Sequence, residues 1–355
     1  MSWINDLIGE KPKPVCQKGD FVFAVIGLDH GHINSMCTGL IEAGAELKWV
    51  YDKDPKKVKS FLKRFPDVRV ADSPEAILED PSVHLVATAI IPAERYQLGL
   101  QTMEHQKDFF TAKTPFTTLE QVELVREKIR ETKQMYAVYY SERLKEDSHI
   151  FAGRAIDDGR IGQVIQVLGM GPHRLAPETR PDWFFDTTLA GGILCDIGSH
   201  QIDQFLYYTN NLDAKVQASK VANYHYQKYK GFEDFGDATL IGDNGATHYF
   251  RVDWLSPSGL RTGGDTRTFI LGTKGYIEIR KNIDVAREKK GNQLYIVDQT
   301  GEYHLSLKGK VGTPYFGHLI LDCLHRTEHA MSQAHALKAS ELSLIAQNQA
   351  VKIKN

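Results

Sequence analysis

The stretch FVFAVIGLDHGHINSMC, Phe21–Cys37, decides how the first half of the chain is read. It opens on a continuous apolar run, Phe21–Ile26, the pattern of a strand buried on both faces. Past the turn, Ile33, Met36, Cys37, Leu40 and Ile41 recur at helical spacing, and Gly44 stops the helix. The turn itself fits two chemistries. A dinucleotide turn uses three glycines: one to turn tightly, one to admit the diphosphate, one to seat the helix on the sheet. Here Gly27 holds the first place, Asp29 the second and His32 the third, with Gly31 displaced by one. His30 and His32 also form the His-x-His pair that a metal hydrolase carries after its first strand.

Outward from this turn the pattern alternates. Leu47–Tyr51, Val68–Ala71, His84–Ile90, Asp108–Ala112 and Met135–Tyr140 read as further strands. Helices lie between them, one opened by Ser73 and Pro74, one over Glu94–Glu104, and one with Thr117 and Glu120 as a capping box. Strands with helical crossovers predict a doubly wound parallel sheet, an α/β Rossmann arrangement. A metal hydrolase barrel needs eight parallel strands and further ligands, so the strand count favours a dinucleotide over a metal. Asp29 can then be accommodated by capping the helix that follows.

After about Ser141–Asp147 the grammar changes. A helix over Lys145–Asp158 and a strand Val164–Met170 precede a loop rich in Pro, Gly and Arg. Val216–Leu307 is mostly strands joined by turns such as Asp243-Asn244-Gly245. Helices near Tyr315–Met331 and Ser340–Lys352 close the chain. The division expected is a loose leader over 1–20, a dinucleotide-binding Rossmann domain over 21–143, and an α+β domain with a large, mainly antiparallel sheet over 144–355.

Composition narrows the class. The 355 residues are 42% hydrophobic and 25% charged with a net charge of −2, which gives no basic field for nucleic acid. No apolar run approaches the ~20 residues that span a bilayer. Cys16, Cys37, Cys195 and Cys323 lie far apart with no C-x-x-C pair, as expected of reduced thiols in the cytoplasm.

Three places carry chemistry. Asp52 ends the second strand 25 residues after Gly27, where a carboxylate can accept from the adenosine ribose hydroxyls and would repel a 2′-phosphate. That favours NAD, while Lys53, Lys56 and Lys57 leave NADP open; a plain strand-end turn residue is the other reading of Asp52. Lys113 follows the fifth strand at the edge where a doubly wound fold binds ligands, a place a surface lysine could also occupy. In TTLAGGILCDIGSHQIDQFLYY, Thr187–Tyr208, a helix begun after Gly192 sets Asp196, His200 and Asp203 on one face, so a histidine base can be tuned by its acid neighbours; a solvated helix face gives the same spacing.

Together these segments resemble the Gfo/Idh/MocA oxidoreductases, relatives of glucose–fructose oxidoreductase and inositol dehydrogenase, from about Phe21 to the C-terminus. AKTP (112–115) stands where that family has Glu-Lys-Pro, GGILCDIGSHQID (191–203) matches its Gly-rich Asp/His segment, and DDGRIGQVIQV (157–167) matches the start of its second domain. The departures are Ala112 for Glu, Thr114 between Lys113 and Pro115, Tyr96 near a common His position, and the GLDHGH turn. The resemblance implies that Lys113, Asp196 and His200 are the catalytic group. The cofactor is expected at Gly27, Leu28, Asp29, His30, Gly31, His32, Asp52, Ile91, Pro92 and Lys113. The resemblance places Arg143 and Trp183 with Asp196 and His200 around the substrate, with a surface salt bridge and a core aromatic as the other readings of the first two. His173, in the loop GPHRLAPETRPDW, is a further substrate candidate on its chemistry, which suits a solvated loop equally.

The function expected is NAD-dependent hydride transfer, with NADP left open, between nicotinamide and a hydroxyl or carbonyl of a sugar, cyclitol or related polyol. A dinucleotide-binding regulatory protein of the same fold is the alternative, and a metal hydrolase using His30 and His32 a more distant one. Expected partners are the small polyol and further copies of the chain, as a homodimer or homotetramer, with no nucleic acid, membrane or metal.

Overall fold

A computed structural model describes residues 2–354. The chain divides into two compact units: one of Pro12–Tyr139 with Pro314–Leu337, the other of the chain up to Lys11, Tyr140–Thr313 and the chain from Lys338. The chain opens with helix α1 (Ser2–Ile8), which belongs to the second of these. The leader expected to be loose is thus partly helical. The reason is Trp3, which meets Tyr303 edge-on at 5.3 Å and lies under the Arg160 guanidinium at 4.0 Å, while Arg154 Nη1 donates to the carbonyls of Leu7 and Ile8.

The first unit runs β1 (Val22–Ile26), α2 (His32–Glu42), β2 (Glu46–Tyr51), α3 (Pro55–Leu62), β3 (Arg69–Val70), α4 (Pro74–Leu78), β4 (Leu85–Thr88), α5 (Pro92–Glu104), β5 (Asp108–Ala112), α6 (Leu119–Thr132) and β6 (Tyr136–Tyr139). Its sheet is parallel in the order β3-β2-β1-β4-β5-β6, which puts the reversal of strand order between β1 and β4. Strands β1, β4, β5 and β6 are buried throughout, as their unbroken apolar runs require. The capping box of α6 is one residue later than expected: Thr118 Oγ1 accepts from Gln121 N, and the Gln121 side chain accepts from Thr117 and Thr118 N. Gln121 can reach back over the turn as well as a glutamate can, and reading Glu120 as the partner misplaced the box.

The second unit continues with α7 (Ser141–Leu144), α8 (Asp147–Asp157), β7 (Val164–Pro172), α9 (Thr187–Ala190), α10 (Ile193–Asp196), α11 (Gly198–Thr209), β8 (Ala214–Ala222), β9 (Phe235–Gly242), β10 (Thr247–Asp253), β11 (Arg267–Gly272), β12 (Gly275–Arg280), β13 (Gln293–Asp298) and β14 (Gly301–Ser306). Helices α12 (Tyr315–His325) and α13 (Gln333–Asn348) and strand β15 (Val351–Lys352) end the chain. The last two helices are displaced from their expected ranges because Arg326, in the left-handed conformation, caps α12 early. The sheet has nine strands in the order β14-β13-β12-β11-β7-β10-β9-β8-β15, antiparallel except for the β7–β10 and β8–β15 pairs. Helix α11 packs on its inner face, over Gly169 and Phe250. Among the described residues no helix is long and apolar enough to cross a membrane.

Candidate active site

At the carboxyl edge of the first sheet, Gly27 has φ +88°, and a Cβ there would lie 1.7 Å from Ile90 Cγ2. Both the turn and the approach of the chain after β4 therefore demand glycine. Gly27 N donates to Tyr51 O at 2.8 Å, and Leu28 N donates to Asp52 Oδ2 at 2.7 Å. Asp52 Oδ1 accepts from Asp54 N at 2.8 Å, so the carboxylate is fixed at the end of β2.

Asp29 does not cap α2, as the sequence suggested. Its carboxylate turns to α3 and forms an ion pair with Lys57. Burial pulls the Lys57 ammonium pKa down, but Asp29, with Asp52 and Asp54, more than offsets this and raises it. Gly31 is the N-cap residue of α2, and His30 Nδ1 accepts from His32 N at 3.2 Å. The two rings meet edge-on at 4.2 Å, and His32 lies against Tyr139 at 6.2 Å. A Cβ on Gly31 would meet nothing within 4 Å.

The turn therefore fits a dinucleotide. The start of α2 stands in open space at Gly31, the Asp29 charge is neutralised by Lys57, and Asp52 is anchored beside it. Gly27, Leu28, Gly31, His32 and Asp52 lie at this turn, with Ile91 and Pro92 at the start of α5. Among the described residues no group of three or more His, Cys, Asp or Glu side chains is placed to hold a metal ion, so the His30–His32 pair does not extend to a metal-ligand set.

Lys113 is buried just after β5, and its peptide bond to Thr114 is cis. Its backbone is held by a residue the sequence reading missed. Arg95, fully buried on α5, donates from Nη1 to the carbonyls of Ala112 (3.0 Å), Lys113 (2.6 Å) and Thr114 (2.9 Å), and from Nε to Ile90 O (2.7 Å). The signal was present: Arg95, Leu98, Gly99 and Thr102 share the buried face of α5, and an arginine on such a face needs a partner.

In the second unit the Asp/His segment is not one helix. Gly191 and Gly192 take positive φ, α10 ends at Asp196, and α11 starts after a break at Ile197. A Cβ on Gly192 would also lie 2.4 Å from the Gln347 side chain. Asp196 and Asp203 consequently have different surroundings. Asp196 lines a small cavity with Phe184, Phe232, Glu233 and Trp254, and its charge acts on Arg180. Asp203, fully buried, accepts both Nε (2.8 Å) and Nη2 (2.7 Å) of Arg143, whose guanidinium lies 4.3 Å from the Tyr207 ring centroid. The ion pair of Arg143 is buried, not the surface salt bridge the sequence offered as its other reading.

His200 is 4% exposed near the start of α11, with its ring edge-on to Tyr140 at 6.1 Å. His173, at the end of β7, places Nε2 3.7 Å from Glu142 and Nδ1 3.0 Å from Gly171 O. Trp183 is half-buried and meets Phe184 edge-on at 6.0 Å. Glu142, another residue missed in the sequence, pairs with Lys281. Burial raises the Glu142 pKa, but Lys281, His200 and His173 more than reverse this and hold the carboxyl well below the usual range.

Comparison with known proteins agrees with both halves of this description. Residues 21–140 match the oxidoreductase family with an NAD-binding Rossmann fold, and residues 150–278 match the GFO/IDH/MocA C-terminal domain. The chain is 25% identical to the NAD+-dependent scyllo-inositol 2-dehydrogenase of Bacillus subtilis strain 168 over 260 residues, 72% of each chain. It is also 25% identical to the NADP+-dependent scyllo-inositol 2-dehydrogenase IolW of the same strain over 177 residues, 48% of this chain and 49% of that one. A crystal structure from Erwinia carotovora atroseptica SCRI1043, named provisionally as an oxidoreductase, is 50% identical, with a TM-score of 0.92 over 94% of this chain and all of that one. The matched segments cover most of the sequence, and the chain belongs to the Gfo/Idh/MocA family of NAD(P)-dependent oxidoreductases.

Proposed function

We propose that the protein oxidises a secondary hydroxyl of a sugar, cyclitol or related polyol, or reduces the matching carbonyl, with NAD as its cofactor. The observation that carries this reading is the buried His200 imidazole just past the helix break, with the Asp196 carboxylate on the other side of that break. NAD, when bound, supplies the hydride acceptor. His200 takes the hydroxyl proton, Asp196 hydrogen-bonds the hydroxyl for that transfer, and Lys113 is the third member of the catalytic group in this reading. The anchored Asp52 carboxylate favours NAD over NADP. The inositol dehydrogenases among the relatives support a cyclitol or sugar-like substrate.

A homodimer or homotetramer formed through the nine-stranded sheet belongs to the same reading. Tyr249, Leu168 and Phe269 lie side by side across β10, β7 and β11, and Phe269 stacks on Tyr276 at 5.2 Å. Leu168, Tyr249 and Tyr276 are exposed, an apolar row suited to a second copy. The free thiols suit the cytoplasm.

The test is turnover with NAD and a polyol panel that includes scyllo-inositol, followed by absorbance of the reduced nicotinamide. His200→Ala should lower turnover by about 10²- to 10⁴-fold with NAD binding kept. Undiminished turnover in that variant removes His200 as the base. Tight NAD binding with no turnover on any polyol favours a regulatory role.

A further inference from the structure

Glu142 sits 4% exposed in α7, the single turn after β6, among groups from four other segments. Lys281, just past β12, forms an ion pair with its Oε1. His173 Nε2, from the end of β7, is 3.7 Å from that same oxygen. Gln204 Nε2, from α11, donates to Oε2 at 3.4 Å, while Gln204 Oε1 accepts from Thr268 Oγ1 of β11 at 3.1 Å. His200 is one helical turn before Gln204 on the same face of α11, and its charge acts on the same carboxylate.

We propose that Glu142, anchored by Lys281, is a positioning residue for proton uptake, stabilising the imidazolium forms of His200 and His173. This rests on the reading of His200 as the base. Burial strengthens the interaction of this carboxylate with any charge that appears beside it. The other acid nearby, Asp203, is spent on Arg143. From α8, His149 also feels Glu142, but burial lowers its pKa to about 3 and keeps it neutral. The Tyr208 hydroxyl of α11 feels it too, and burial keeps that phenol protonated.

His173 has its tautomer set by the fold. A ring nitrogen facing a carbonyl oxygen must donate, so Nδ1 carries the proton toward Gly171 O and Nε2 faces Glu142. Glu142 thus presents one anion to two imidazoles. Protonation of either adds a positive charge next to a carboxylate that stays ionised.

The experiment is NMR titration of the His200 and His173 ring protons in the cofactor-free full chain, with wild type, Glu142→Gln, Lys281→Met and the double variant. Glu142→Gln should lower both imidazole pKa values by about one pH unit, and Lys281→Met should raise them. The opposite signs are the signature, since loosened packing would not reverse between the two. Should Glu142→Gln fail to fold with Lys281 left beside it, the double variant, which removes both charges, should titrate about one pH unit below Lys281→Met. Values that do not move, or that move the same way in both single variants, overturn the proposal. The acid limb of kcat/KM should follow the same displacements. Full turnover in His200→Ala would defeat the catalytic reading, whereas the titration judges Glu142 independently.

Discussion

The backbone N–H of Leu28 donates to the Asp52 carboxylate at 2.7 Å, tying the end of β1 to the end of β2. The other oxygen accepts from Asp54 N at 2.8 Å. An ionised carboxylate has about four lone-pair sites, so each oxygen keeps capacity for a ribose hydroxyl. The acceptor is fixed in place before any ligand arrives.

Asp52→Ala should weaken NADH binding about 10- to 100-fold, the loss of charge-assisted hydrogen bonds worth ~1.5–3 kcal/mol. NADPH should lose less, because Lys53, Lys56 and Lys57 remain nearby to meet a 2′-phosphate. Fluorescence titration with both nucleotides decides it. Equal losses would make Asp52 a turn residue with no part in cofactor choice.

Arg95 is expected to act on Lys113 through the backbone it clamps. Arg95→Met removes the charged donor from three buried carbonyls and should destabilise the protein by at least ~2 kcal/mol in urea. It should also lower turnover more than NAD affinity. Arg95→Lys, which keeps one charged donor, should recover part of both. Wild-type urea stability in Arg95→Met would show that the clamp is dispensable.

Arg143 and Asp203 form a buried, two-pronged pair, and losing one partner strands the other's charge. Arg143→Met and Asp203→Asn should each cost ~3–5 kcal/mol, while Arg143→Met combined with Asp203→Leu should be more stable than either. Denaturant midpoints measure this. A raised KM with unaltered stability in Arg143→Met would instead assign Arg143 to the substrate.

Acid should destabilise the fold earlier than carboxylate protonation alone would. Burial lowers the His149 pKa to about 3 and that of His248 to about 4. In the unfolded chain both titrate near ~6.5, so between these values the unfolded state binds protons that the folded state does not. Their contribution is complete above about pH 6.5 and is lost as pH falls toward the folded values. Each unit of difference is worth about 1.4 kcal/mol at most. Glu142, held below the usual carboxylate range, adds to the loss only below about pH 4. His248→Phe, which keeps a ring against Phe205, should flatten the fall in urea midpoint between pH 7 and 5. A wild-type midpoint that does not change over that range would refute the assignment.

By itself the sequence determined the two architectures, because apolar runs and helical spacing report burial locally. Phe21–Ile26 reads as a strand buried on both faces, and α2 as its crossover. Gly27, Asp52 and Lys113 were legible for the same reason: each follows directly on a strand of a parallel sheet, where chain order fixes the edge. Tertiary structure alone decided which charges meet. Asp29 turned from its own helix to Lys57, Arg143 went to Asp203, and Glu142 gathered Lys281, Gln204 and His173 from 139, 62 and 31 residues away. Periodicity says which face of an element is buried; it does not say which distant side chain waits there. For a buried charge, that partner sets the chemistry.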